Sequence, residues 1–161
     1  MRVNADSCNL RSKTMRQLPV EDPFTIAFRG HFTSLLRWED LDAFWALVRQ
    51  HVGTGWYVYA IGEPAPVRPS TAERVGEFLD EIDALLRKEH REDYCGIVYT
   101  DSKTAPTMIK IFDPNNLGVQ CGFSDNPPLP GWVMSRLPPV TLGNRDQLPE
   151  GRKRWWRKLW T

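Results

Sequence analysis

The most regular stretch of the chain lies beyond Ser70. There Val75, Phe78, Leu79, Ile82, Leu85 and Leu86 recur at three- and four-residue intervals. That spacing lines one face of an α-helix, and Ser70 with Glu73 forms an S-x-x-E capping box that would start it. Glu73, Glu77, Asp80, Glu81 and Asp83 take much of the remaining surface and read as a solvated face. Gly76, in the helix interior, costs about 1 kcal/mol relative to alanine, which suggests a close packing contact at that point. A second helical pattern sets Leu41, Phe44, Trp45 and Val48 on one face of residues 38–51. Acids crowd its start and Arg49 and His51 its end, as the helix dipole favours.

Elsewhere the pattern shortens to strand length. Residues 24–33, FTIAFRGHFT, alternate apolar and polar positions and read as a strand. Residues 55–63, GWYVYAIGE, are rich in aromatic and β-branched types and give a second. A proline-stiffened connection, EPAPVRP, leads into the long helix. After it, YCGIVYTD and TMIKIFD read as strands joined by SKTAP. PNNLG is a turn signal, VQCG a short third strand, and WVMS (132–135) one more. The order β-α-β-α-β-β-β predicts an α+β domain, a mostly antiparallel sheet of about five strands covered by two helices. A mixed sheet is the alternative, with the first strands parallel through their helical crossovers. Residues 1–21 show no burial period and read as a disordered, flexible segment. Residues 22–142 form the single domain, and 143–161 a proline-bearing linker and tail.

Composition alters this picture in one respect. The 161 residues carry 41% hydrophobic and 25% charged side chains and a net charge of +1, ordinary for a globular domain. The charge is unevenly placed. GRKRWWRKLWT, residues 151–161, holds five basic residues and no acid, leaving 16 basic against 20 acidic elsewhere. No run reaches the roughly 20 apolar residues of a membrane span. Three cysteines, Cys8, Cys95 and Cys121, are too few and too odd for a disulfide framework and point to a reducing cytoplasm.

Candidate chemistry is sparse. No glycine-rich phosphate loop and no G-x-S-x-G elbow occurs. His90, Asp93, Cys95, Asp113 and Cys121 supply the groups of a thiol nucleophile or a zinc site. In a three-strand meander, however, Cys95 and Cys121 fall on outer strands, roughly 12 Å apart from two strand spacings and a two-residue offset. Zinc ligands must each lie about 2.0–2.3 Å from the metal. The cysteines therefore read as small buried hydrophobes, and no cofactor or metal is expected. Asp113 to Gly118, DPNNLG, reads as an Asx-type turn. Pro127-x-x-Pro130 has polyproline-ligand spacing, and Trp132 beside it is a candidate contact residue.

The tail is the remaining signal. As a helix it gathers Trp155, Trp156, Leu159 and Trp160 on one side and Lys153, Arg154, Arg157 and Lys158 on the other. A lone helix this short needs a surface to fold on. Four surfaces compete: its own domain, a protein partner, nucleic acid and an anionic membrane. The reading adopted is a small cytoplasmic, non-catalytic protein that binds or helps assemble another protein. Its contact residues are Trp155, Trp156, Arg157, Lys158, Trp160, Arg154 and Trp132. The alternatives are a thiol-dependent enzyme or metal/redox protein using Cys95 or Cys121 with His90, and a nucleic-acid-binding module.

Overall fold

The computed structural model describes residues 21–117, 129–143 and 148–160. Among them the elements are α1 (Pro23–Phe28), β1 (Thr33–Ser34), α2 (Trp38–Arg49), β2 (Tyr57–Ala60), α3 (Ala72–Glu89), β3 (Val98–Thr100), β4 (Met108–Ile111), a 3-10 turn (Pro114–Asn116), β5 (Trp132–Ser135) and α4 (Glu150–Leu159). The α+β class and the five-stranded, antiparallel sheet match expectation, with strand order β1-β3-β4-β5-β2 and every neighbouring pair antiparallel. The mixed alternative does not arise, because the two helical crossovers join strands that are not neighbours.

Two helices were expected, and four are present among the described residues. The tail supplies α4. The other addition, α1, replaces the strand expected over residues 24–33, of which only Thr33–Ser34 is extended. Its start explains why. Asp22 caps the helix, accepting from Thr25 N at 2.9 Å and Thr25 Oγ1 at 2.7 Å, and Pro23 follows in the first turn. Such a cap and a proline at the first helical position favour a helix. Phe24, Ala27 and Phe28 then share a face, and that face packs on the sheet.

Strand alternation divides the core in two. Val58, Ala60, Ile109, Ile111, Trp132 and Met134 point to the side covered by α2, α3 and α4. Tyr59, Met108 and Val133 point to the other side, under Phe24 of α1 and the 137–142 segment. The Tyr59 hydroxyl pins that segment, accepting from Leu142 N at 2.6 Å and donating to Leu142 O at 3.1 Å. Lys110 also lies on this side. Its ammonium sits 4.1 Å and 4.0 Å from the ring centroids of Phe28 and Phe32 and donates to Phe28 O at 2.6 Å.

The two long helices bury the faces read from their spacing: Leu41, Phe44, Trp45 and Val48 in α2, and Val75, Phe78, Leu79, Ile82, Leu85 and Leu86 in α3. The cap of α3 lies one residue later than the S-x-x-E pattern suggested. Thr71 accepts from Arg74 N at 3.2 Å, while the Ser70 amide is engaged with Trp56 O at 2.8 Å. The acids of α3 are less uniformly solvated than their pattern implied. Asp80 pairs with Arg49 of α2, and Asp83 with Arg87 and the Trp45 indole N–H. Gly76 makes no close contact, since an added Cβ would meet no atom within 4 Å. The N-terminal segment, the strand expected at VQCG, Cys8, Gly118, Cys121 and Pro127 lie outside the described residues.

Candidate functional site: the docked C-terminal helix

The tail folds on its own domain. Glu150 stands at the acidic-favouring start of α4 and Arg157 and Lys158 at its end, matching the helix dipole. Glu150 also pairs with Lys153 at 3.2 Å. Trp155 packs edge-on against Trp132 of β5, with centroids 5.4 Å apart, and against Phe78 of α3 at 6.5 Å. Trp156 meets Phe78 at 6.2 Å and Trp160 at 5.0 Å. None of these tail side chains is fully buried, so α4 covers the core like a shallow lid. Trp132, by contrast, is 3% exposed. It is the floor beneath Trp155, placed there by the inward register of β5.

Arg152 anchors the start of the helix. Arg152 donates through Nε to Asp113 Oδ2 at 2.8 Å and through Nη2 to Asp113 Oδ1 at 3.0 Å. Its Nη1 reaches Glu89 Oε2 at 2.9 Å. The Arg152 side chain is only 14% exposed. Asp113 hydrogen bonding raises its already high pKa further, against the opposing effect of burial. Asp113 performs the expected Asx turn as well, accepting from Asn115 N at 2.9 Å. At the far end Arg74 donates to Leu159 O. Asp113 and Glu89 are thus the acidic dock of Arg152.

What α4 leaves outward is basic. Arg154, Arg157 and Lys158 are exposed. Between α4 and the connection that follows β2 runs a groove of about 470 Å³, with Val58, Pro66, Trp156 and Trp160 among its walls.

The thiol reading finds a different environment. Cys95 is fully buried in the core just before β3. Burial pushes its thiol pKa up, the reverse of an activated cysteine. His90, the C-cap of α3, directs Nε2 to the Cys95 carbonyl oxygen at 2.9 Å rather than to the sulfur. Among the described residues no three His, Cys, Asp or Glu side chains are placed to hold a metal, and no helix is long and apolar enough to cross a membrane. The residues that sequence reasoning missed are Asp113 and Glu89 as partners of Arg152; a turn-forming aspartate carries no mark of a second role. No protein-family model matches the chain, and no curated protein or solved structure matches it either.

Proposed function

We propose that the domain is a non-catalytic binding or assembly module, and that its contact surface is the outward face of α4, directed at an acidic protein partner. The observation that carries this is the division of labour within the helix. Its indoles and Arg152 are engaged with the domain's own core and carboxylates, while Arg154 and Arg157 stand exposed on a helix whose one acid is Glu150. A helix held rigidly by its inner side presents those cations at fixed spacing, which favours steering and register with an acidic surface. Single-stranded nucleic acid fits less well, because indoles that would stack on bases are packed on protein.

Arg154→Glu combined with Arg157→Glu tests the reading. Affinity capture with the full chain, quantified against wild type by mass spectrometry, is expected to lose the acidic partner while the melting midpoint is unchanged. Recovery of the same partners by both proteins would refute it.

A further inference from the structure

Beside the outward cations, the groove joins two kinds of surface. Val58, Pro64, Pro66 and the indoles of Trp156 and Trp160 make it largely apolar, and Lys153 and Arg157 line its α4 side. Its volume, about 470 Å³, lies in the range that holds an organic ligand or a bulky side chain. Ser70 lines it too, immediately before Thr71, the N-cap of α3, so the positive end of that helix adds to the cationic character there. Glu63 stands on the opposite, connection side.

We infer that this groove is an anchor pocket for one leucine or aromatic side chain of an acidic peptide segment. The inference rests on the proposed binding role of α4 and specifies the partner's chemistry. Charge complementarity sets the occupant. Lys153 is already held by Glu150, so Arg157 is the principal cation at the rim, and Arg154 continues the basic row along the helix. A peptide with acids on both sides of one apolar residue meets the groove with that residue and both arginines with its carboxylates. A small organic acid would reach the rim but not the row. Anchors of this kind, apolar and ringed by polar contacts, dominate affinity at interfaces.

The test uses three tetramethylrhodamine-labelled peptides, Asp-Glu-Asp-Leu-Asp-Glu, the same peptide with alanine replacing leucine, and a counterpart of the first with lysine replacing every acid, each titrated with the full chain and read by anisotropy. Of the two acidic peptides, the leucine one is expected to bind at least tenfold tighter than the alanine one. Ser70→Trp, which fills the groove, should bring it to the alanine level, with Ser70→Leu as a milder second variant. Arg154→Glu should weaken both acidic peptides alike. Equal affinity of the two acidic peptides for wild type overturns the pocket and leaves the outer-face reading standing. Failure of both acidic peptides to bind overturns both. Equal binding of the lysine-for-acid counterpart overturns the charge argument.

Discussion

Arg152 and Asp113 meet side-on, two parallel hydrogen bonds of 2.8 Å and 3.0 Å joining the last helix to the turn after β4. Both side chains are at least four-fifths buried. Arg152→Met keeps the aliphatic stem and removes the fork, leaving Asp113 and Glu89 without their cation. The expected loss is roughly 1–3 kcal/mol, measured by urea unfolding. The same variant should change the near-ultraviolet circular dichroism of the tryptophans, because α4 loses its register. A variant as stable as wild type would mean that the indoles and the remaining polar contacts, such as Arg74 with Leu159 O, hold the helix without Arg152.

Trp155 lies between Trp132 and Phe78. Trp155→Ala is expected to destabilise the whole domain by about 2–3 kcal/mol, somewhat under the 3–5 typical of a fully buried tryptophan, since part of the ring is exposed. Thermal unfolding reads this directly. An unchanged midpoint with altered partner capture would return the tail to the status of an appendage.

Gly76 sits mid-helix in α3 with open space where a Cβ would go. Gly76→Ala therefore removes backbone freedom from the unfolded chain without a clash. A gain of about 0.5–1 kcal/mol is expected, seen as a higher denaturation midpoint. A loss of stability would show that the helix needs that position bare.

Lys110 carries the pH prediction. Burial lowers its pKa from the ordinary lysine value to about 8, while the Phe28 carbonyl and two ring faces favour the charged form and oppose the shift. Between pH 8 and 10 the unfolded chain keeps a proton that the folded chain has released, so stability contributed by this group rises with pH. Urea unfolding of wild type and Lys110→Met across that window should show wild type gaining on the variant. A constant difference would mean that the carbonyl and rings hold the pKa at its usual value.

Cys95 is shielded and its thiol shifted up by burial. Iodoacetamide at pH 8, followed by peptide mass spectrometry, should leave Cys95 unmodified in the native protein and label it fully in urea. Rapid labelling of Cys95 in native protein would revive the thiol-enzyme reading.

The long helices were legible because each has a face wide enough for period 3.6 to be unmistakable. Over residues 24–28 the two periods coincide: Phe24, Ile26 and Phe28 alternate, but Phe24, Ala27 and Phe28 also share a helical face. The Asp22–Pro23 start decides between them in favour of the helix, a local cue that the alternation masks. Ser70 and Thr71 are both competent caps, and only the tertiary bond from Ser70 N to Trp56 O selects Thr71. The helical, two-sided tail was plain in its spacing. Its dock was not, because Asp113 and Glu89 lie 39 and 63 positions from Arg152, and no local pattern reports such a partner. The groove is likewise made by segments that only the fold brings together.

The sheet order has a kinetic consequence. β1 and β2 come early in the chain yet occupy opposite edges, each closing onto a strand from the later half, β1 onto β3 and β2 onto β5. Before β3, β4 and β5 exist as a unit, α2 and α3 have no surface on which to lay their apolar faces. Pairing so distant in sequence is slow, and bare amphipathic helices attract one another in the interval. A chain ending short of Trp132 lacks β5, the strand that joins β2 to β4, so its sheet is cut short beneath the amphipathic helices, and its fate is aggregation or chaperone capture rather than a smaller version of the fold.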